Sequence, residues 1–436
     1  MNLHRVALLL LIAVASAGCA PALVKEQTSL VDAAKAAGAT SLTAKHLDDG
    51  GLLLNGKLDG RHFSLAIPWR WNQQTVVFAN GYRNKGLPTD IPENPLGNDT
   101  TGFYRIPYAQ GFATGLAEYD KAGMGVQTGV ERTIALKRFV DKLGAKRAYI
   151  MGGSMGGNIT VALVEKYPDD FAGAMAVCGA VGGWPAEVGW AIDVRAAYDY
   201  FTRGTPYELP GTKDLGRSSI SAPPTMPALI ALVWFFHDMK KLIRPVNALF
   251  EAAAKNPGGP EDRMLDNIVA ASGTVRDLSG ILLPIALMAT GTDDMNDVWG
   301  GSIYDNTDKV YSSPNLPADE NAALNRGIAR IKADPDALAK ANDWHTPSGI
   351  FKTKLMTLYN EIDPLVPSAL NEGILATAAQ KAGNADHLVE REVPSQRKPL
   401  PTTDAQGYVH CGFTPDQVEA AWHDLRAWVE SDKKPQ

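Results

Sequence analysis

The chain has 436 residues, of which 45% are apolar and 21% are charged. These proportions are typical of a globular protein with a large core and argue against a disordered or fibrous chain. The net charge is −6, so the composition gives no indication of nucleic-acid binding.

The amino terminus predicts an export signal. Met1–Arg5 is short and basic, Val6–Ala15 is apolar, and small residues then lead to Cys19. The apolar run is too short for a permanent membrane anchor, so we interpret residues 1–18 as a secretory or lipoprotein signal. The residues before Cys19 resemble a bacterial lipoprotein signal, which would attach a lipid to Cys19, although Ser16 stands where leucine is usual. Ordinary cleavage, giving a soluble periplasmic or secreted product, is the alternative.

The next segments predict the first part of the fold. Residues 19–50 have weak helical signals and are interpreted as a lead-in segment. From residue 52 onward, short apolar runs between turn residues predict strands, and between residues 75 and 178 strands alternate with helical patterns. Such alternation predicts an α/β fold with a mostly parallel, doubly wound sheet and helices on both faces.

Residues 184–350 have a different pattern. They contain five tryptophans, several helical runs and many Pro and Gly breaks, without strand–helix alternation. We interpret them as a large helical cap or lid inserted after the strand at 172–178. The alternation resumes afterwards, so the α/β core is predicted to comprise residues 51–183 and 351–436. We expect the aromatic cap to shape an apolar substrate pocket.

The sequence Gly152-Gly153-Ser154-Met155-Gly156 lies between an apolar run at 147–151 and a helical pattern at 158–167. A G-x-S-x-G sequence between a strand and a helix indicates a nucleophile elbow, a tight turn that holds a serine hydroxyl at the end of a sheet. The glycines are needed because the turn leaves no room for Cβ atoms. An ordinary serine in a glycine-rich turn is the alternative.

A serine nucleophile needs a general base and a carboxylate that orients it. His410 is the candidate base, because it lies in a loop between the last strand and the last helix. Asp363 is the preferred carboxylate, because it directly follows the strand at 354–359. Asp293-Asp294 would be the carboxylate if residues 281–289 were a strand, and Glu361 is a third candidate.

Acyl transfer also needs two N–H donors that stabilise an oxyanion. One is expected from Met155, the residue after the nucleophile. The second is expected from the loop after the strand at 74–79, from the N–H of Gly81 or Tyr82. A plain tight turn is the alternative interpretation of that loop.

The chain order Ser154, Asp363, His410, with the elbow and a cap inserted after residue 178, resembles the α/β-hydrolase family. This resemblance covers about residues 50–183 and 351–432. It implies hydrolysis of a carboxylic ester, in a small molecule or a polymer, through an acyl-enzyme and without a metal or organic cofactor. A peptidase or amidase with the same residues is an alternative, and a non-catalytic binding protein on this scaffold is another.

Two cysteines remain if Cys19 carries lipid. Cys178 ends the strand after the elbow and Cys411 follows His410, so a disulfide between them is expected in an oxidising compartment, with two free thiols as the alternative. Cys411 beside His410 also resembles tannase- and feruloyl-esterase-like proteins, in which a disulfide supports the catalytic residues. Those proteins have their second cysteine next to the nucleophile, where this chain has Gly153.

Overall fold

The computed structural model describes residues 27–85, 91–220, 228–400 and 405–435. The predicted signal and Cys19 therefore lie outside the described residues. Among the helices of the described ranges, none combines the length and the apolar character that a membrane span requires.

The first compact unit comprises residues up to 78, 90–118 and 131–149. Its strands follow the order β1-β2-β3-β5-β4, in which β4 and β5 are parallel and the other pairs are antiparallel. The elements are α1 (27–36), β1 (Thr40–His46), β2 (Leu52–Leu58), β3 (Arg61–Ile67), β4 (Gln74–Ala79), α2 (Arg105–Ala109), β5 (Ala113–Ala117) and α3 (Val126–Lys142). The lead-in thus contributes a helix and an edge strand. The strand is largely exposed, which explains its weak apolar pattern.

The chain passes through β6 (Arg147–Gly153) into the second unit, which comprises residues 79–89, 119–130 and 150 onward. Here the strand order is β6-β7-β8-β9, and β7, β8 and β9 are parallel. The core elements are α4 (Met155–Lys166), β7 (Gly173–Val177), β8 (Lys354–Asn360), α11 (Glu372–Lys381), β9 (Leu388–Val393) and α12 (Pro415–Ser431). Helix α12 packs against β7 and β8 through the side of the helix that contains the buried residues Trp422 and Leu425.

Helices occupy the chain between β7 and β8. They are α5 (Trp184–Thr202), α6 (Ala228–Lys255), α7 (Pro260–Ser272), α8 (Leu278–Trp299), α9 (Ala318–Gly327) and α10 (Pro335–His345). Helix α5 packs against α7 and α8. Residues 281–289, which could be interpreted as a strand from their apolar pattern, lie within α8. Asp334 caps α10 and Pro335 begins it, which separates α10 from α9.

A short hairpin precedes the histidine loop and was not predicted. Its strands are β10 (Arg397–Pro399) and β11 (Gln406–Tyr408). Asp277, the cap of α8, forms an ion pair with Arg397 at 2.7 Å and accepts a hydrogen bond from the Tyr408 N–H at 3.3 Å. The hairpin is therefore fastened to the helical segment two residues before His410.

Candidate active site

Ser154 lies between β6 and α4 with φ 57° and ψ −122°. Two close backbone approaches explain the glycines around it. A Cβ atom on Gly152 would lie 2.1 Å from the carbonyl oxygen of Gly156, and one on Gly156 would lie 2.1 Å from that of Ala79. Larger residues at either position would force the turn apart, so this sequence folds into a tight turn that turns the serine outward.

Strained backbone is concentrated near this turn. Of the seven non-glycine residues with positive φ in the described ranges, three are Ser154, Cys178 and Cys411, with φ values of 57°, 41° and 57°. Such conformations cost free energy for residues with a Cβ atom, and they persist where the surrounding structure enforces them. Their concentration here marks these three loops as a candidate site.

His410 and Asp363 are hydrogen-bonded to each other. The Nδ1 atom of His410 lies 2.9 Å from both carboxylate oxygens of Asp363. The N–H groups of Leu365 and Val366 also donate to Oδ1, and that of Cys411 donates to Oδ2 at 3.1 Å. Asp363 is thus held by its own loop and by the histidine loop, which fixes the direction of the imidazole ring.

The surroundings shift both pKa values of this pair. Burial alone would raise the pKa of Asp363, but the charge and hydrogen bond of His410 and the N–H donors bring it below its usual range. Burial alone would lower the pKa of His410, but the charge and hydrogen bond of Asp363, with a smaller contribution from Glu187, raise it above its usual range. Both shifts have the same cause, the attraction between the Asp363 carboxylate and the protonated form of His410.

A disulfide between Cys178 and Cys411 ties the histidine loop to the elbow. The N–H of Ser154 donates to the carbonyl oxygen of Val177 at 3.0 Å, and the next residue is Cys178. On the other side of the bond, Cys411 Sγ lies 3.5 Å from Nε2 of His410. Within the described ranges, the hydroxyl of Ser154 has no hydrogen-bond partner.

The loop after β4 also approaches the serine. A Cβ atom on Gly81 would lie 3.6 Å from Cβ of Ser154. The backbone N–H groups of Gly81, Tyr82 and Met155 donate to no acceptor within the part of the chain that the structure describes. The two sequence segments expected to supply oxyanion donors therefore lie beside the same serine.

Sequence reasoning missed the residues that hold the two loops. The side-chain amide of Asn360 donates to the carbonyl oxygen of Gly412 at 3.0 Å and accepts from its N–H at 3.2 Å. The hydroxyl of Ser395 likewise donates to and accepts from the backbone of Ile362. The position of Asn360 at the end of β8 was a usable signal, because strand ends gather at one edge of a parallel sheet.

Glu187 was also missed, since nothing in a helical pattern distinguishes it. It lies in the first turn of α5 and is 2% exposed. One carboxyl oxygen accepts from Nδ2 of Asn371 at 3.0 Å, while Asn371 Oδ1 accepts from the N–H of Gly182. Burial raises the pKa of Glu187 to about 8, with the charge of Asp363 acting in the same direction. The carboxyl group of Glu187 therefore stays protonated to a higher pH than an ordinary carboxyl group.

The other predicted carboxylates lie elsewhere. Asp293 and Asp294 are on helix α8, where Asp293 accepts a hydrogen bond from Arg217 and Asp294 accepts from the N–H of Met124. Glu361 is exposed. Neither the α8 pair nor Glu361 hydrogen-bonds to His410 in the described ranges, whereas Asp363 does.

A family model described as the alpha/beta hydrolase fold matches residues 131–257. The chain has the α/β-hydrolase fold. The predicted fold class and the resemblance to this family are thereby confirmed. The matched segment contains the turn at Ser154, β7 and α5. No curated protein matches the chain.

Solved structures with likeness to this chain include three esterases. Feruloyl esterase B from Aspergillus oryzae has 13% identity and a TM-score of 0.46, over 94% of this chain and 91% of that one. An esterase from the same organism has 16% identity and a TM-score of 0.42, over 88% and 80%. The rice cell wall degrading esterase LipA from Xanthomonas oryzae has 11% identity and a TM-score of 0.36, over 79% and 83%. Likeness at this level does not bear on activity.

The tryptophans of residues 184–350 were expected to shape an apolar substrate pocket. Trp184 and Trp299 are buried and contact each other, with ring centroids 6.4 Å apart, so they contribute to the core of the protein.

The side chains of Cys178, His410 and Cys411 lie within 4.8 Å of one another, a spacing that could suit a metal ion. Both sulfurs are bonded to each other, however, which removes the thiolates such a site would need.

Proposed function

We propose that this protein is a serine hydrolase of carboxylic esters, with Ser154 as nucleophile, His410 as general base and Asp363 as the carboxylate that orients it. The observation that carries the proposal is the backbone of Ser154, a non-glycine residue at φ 57° between a strand and a helix. A serine is kept in such a conformation where function requires it, because almost any other turn would cost less free energy.

The His410–Asp363 hydrogen bond supports the assignment of the base. Because Nδ1 faces Asp363, Nε2 is the ring nitrogen left to accept a proton from Ser154 Oγ. As Oγ forms a bond to the substrate carbonyl carbon, that proton passes to Nε2, and the imidazolium returns it to the departing alcohol. Water then repeats the sequence on the acyl-enzyme, releasing the acid and regenerating the serine.

The N–H groups of Met155, Gly81 and Tyr82 support the assignment of the oxyanion site. They lie on the two segments next to Ser154 and are available to a substrate oxygen. A donor pair of this kind stabilises the charge that develops on the carbonyl oxygen in the transition state, and removal of one such donor typically costs about a hundredfold to a thousandfold in turnover.

The test is covalent labelling with a fluorophosphonate, followed by peptide mass spectrometry. We expect one adduct on Ser154 and none on Ser154→Ala, which should also lose at least about a thousandfold in ester turnover. Ser218→Ala is the matched control and should label normally. It removes a hydroxyl that accepts a hydrogen bond from the N–H of Asp293 on α8. An intact protein that takes no label, or an active Ser154→Ala variant, would mean that the nucleophile is wrong.

Matched ester and amide substrates test the reaction class. An esterase should hydrolyse the ester of a given acyl group faster than its amide, since the amide is the less reactive carbonyl compound. A higher rate on the amide would replace the esterase proposal with a peptidase or amidase acting through the same residues. Labelling of Ser154 without turnover of either compound would favour a binding protein that retains a reactive serine.

We also propose that the protein is exported and anchored through a lipid on Cys19, as the amino-terminal sequence suggests. The disulfide between Cys178 and Cys411 is compatible with an oxidising compartment. Mass spectrometry of the membrane fraction from a bacterial host should find an acylated peptide beginning at Cys19, and Cys19→Ser should move the protein to the soluble fraction. A non-acylated mature terminus would indicate ordinary cleavage.

A further inference from the structure

A narrow cleft opens beside the proposed oxyanion site. It is lined by Gly81 and Met155 on one side and by Lys121 and Gly123 on the other, together with Asn80, Arg83, Tyr119 and Ala122. The cleft thus joins the two segments that flank Ser154 to a loop that carries a cationic side chain. The cleft is small, about 20 Å³, so a substrate whose carbonyl oxygen lies between the Gly81 and Met155 segments can place only a small group in it.

The walls of the cleft are held by backbone contacts. The N–H of Gly123 donates to the carbonyl oxygen of Arg83 at 2.6 Å, and the N–H of Asn80 donates to the hydroxyl of Tyr119 at 2.6 Å. The N–H of Met124 donates to Asp294 at 2.6 Å. The loop that carries Lys121 is therefore fixed with respect to the loop that carries Gly81, so less of this part of the site has to be ordered on binding.

Lys121 retains unused hydrogen-bonding capacity. Its nearest charged partner is Asp294, at 3.9 Å between Nζ and Oδ1, which is an ion pair but longer than a hydrogen bond. Within the described ranges its ammonium group, which has three N–H donors, donates no hydrogen bond. Burial lowers the pKa of Lys121, with the charge of Asp294 acting in the opposite direction. A partly buried ammonium with free donors is suited to an anionic ligand.

Lys85 does not offer the same capacity, although it lies near the same carboxylate. Its Nζ lies 4.0 Å from Asp294 but forms a 2.8 Å hydrogen bond with Asp297, and Lys85 does not line the cleft. The two lysines therefore have the same charge and share one carboxylate. They differ in that Lys121 lines the cleft and Lys85 does not.

We propose that this cleft is a subsite for a carboxylate carried by the ester substrate, and that Lys121 binds it. The proposal rests on the function proposed above, because it places the subsite beside the ester carbonyl. The substrate class is an ester with a carboxylate a few atoms from the scissile bond, as in a half-ester of a dicarboxylic acid or an ester of a hydroxy acid. Lys121 binds and positions this group without taking part in proton transfer.

The test compares charged and neutral esters on the same enzyme sample. One pair places the carboxylate on the acyl group, mono-p-nitrophenyl glutarate against p-nitrophenyl valerate. The other places it on the leaving group, 3-carboxy-4-nitrophenyl acetate against p-nitrophenyl acetate. The measured quantity is the ratio of kcat/KM for the charged ester to that for the neutral ester, which does not depend on the fraction of active protein.

In Lys121→Met we expect this ratio to fall by about tenfold or more for at least one pair, the loss expected for one hydrogen bond to a charged group. Lys121→Arg should keep the ratio within about threefold of the wild-type value, because it retains the charge. Lys85→Met is the matched control and should change the ratio by less than about threefold, since it removes the same charge outside the cleft.

The outcomes separate the two proposals. Wild-type turnover of neutral esters, with a ratio that Lys121→Met leaves unchanged for both pairs, would overturn the subsite and leave the esterase proposal intact. An equal fall in Lys85→Met would also overturn the subsite, because the effect would then reflect overall charge. A wild-type protein that hydrolyses none of the four esters would overturn the proposed function and the subsite with it.

Discussion

The Cβ atom that Gly153 lacks would lie 3.9 Å from Sγ of Cys178. In the tannase- and feruloyl-esterase-like proteins that the histidine loop resembles, the disulfide begins at the residue next to the nucleophile, which is position 153 here. In this chain the sulfur comes from the end of the neighbouring strand instead. It lies beside the same turn, and its bond to Cys411 joins that turn to the histidine loop.

This relationship predicts that the disulfide can be moved. Cys178→Ala should leave Cys411 as a free thiol, release the histidine loop and lower the free energy of unfolding by about 2–5 kcal/mol, because the bond closes a long loop. Adding Gly153→Cys should restore a disulfide to Cys411, since a Cβ at position 153 meets no atom closer than 3.8 Å. Thiol titration and peptide mapping measure the bond, and urea unfolding measures the stability. Two free thiols in the double variant would contradict the prediction.

The His410–Asp363 hydrogen bond predicts the pH dependence of the proposed reaction. A general base must be neutral to accept a proton, so activity should rise with pH through the pKa of His410. Because that pKa is raised, the midpoint should lie above the ordinary value of about 6.5. The profile of kcat/KM between pH 5 and 9 checks this. A midpoint below 6 would contradict it.

Asp363→Asn should lower kcat/KM by about a thousandfold to ten-thousandfold, since an amide favours the wrong imidazole tautomer. The residual activity of Asp363→Asn should have a midpoint at lower pH, because the charge that raises the His410 pKa is gone.

Asp363→Asn should also change how the stability of the protein depends on pH. The depressed pKa of Asp363 contributes stability above its unfolded pKa, and this contribution is lost as pH falls through the folded pKa. The variant should therefore lose less stability than the wild type on acidification.

Asn360 predicts a positioning effect without contact to the substrate. Asn360→Ala removes both hydrogen bonds to Gly412 and frees the loop that follows His410. We expect kcat to fall about tenfold to a hundredfold with KM within about twofold, because misplacement of the base affects the transition state more than binding. Asn384→Ala is the matched control. It also removes a side-chain amide bond to a backbone carbonyl, that of Gly349 after α10, and should leave kcat unchanged.

The elbow and the order of the site residues could be predicted from the sequence because both depend on local chemistry. Gly152 and Gly156 are fixed by close backbone approach, and Asp363 follows a run of buried residues that forms a strand. The alternation of short apolar runs with helical patterns was enough to predict the sheet. In each case neighbours in sequence carry the information.

What could not be predicted depends on contacts between distant segments. The pairs Glu187–Asn371 and Asn360–Gly412 join residues 184 and 52 positions apart. The apolar stretch at 281–289 is compatible with a strand or a helix, and in the structure it lies within α8, which packs against α5 and α6. The tryptophans between residues 184 and 350 gave no indication of whether they face a pocket or the core, since aromatic residues serve both.

The buried carboxyl group of Glu187 predicts how the stability of the protein depends on pH. This carboxyl group is neutral in the folded protein up to about pH 8 and ionises at an ordinary carboxyl pKa of about 4.3 when the chain unfolds. A group with a raised folded pKa contributes stability that is fully present below the unfolded pKa and is lost as pH rises through the folded pKa. Glu187→Gln resembles the neutral acid at every pH and keeps an acceptor for Asn371. The free energy of unfolding of Glu187→Gln minus that of the wild type should therefore increase between about pH 4 and pH 8. Above pH 8 this difference should become constant.

Urea unfolding at pH 4, 5, 6, 7 and 8.5 measures this difference. Glu361→Gln makes the same substitution at an exposed position on the loop of Asp363 and is the matched control for the loss of a carboxyl group. A pH-independent difference for Glu187→Gln would mean that Glu187 is ionised in the folded protein. It would then be a second negative charge near His410, and the raised pKa of that histidine would owe more to Glu187 than the Asp363 hydrogen bond implies.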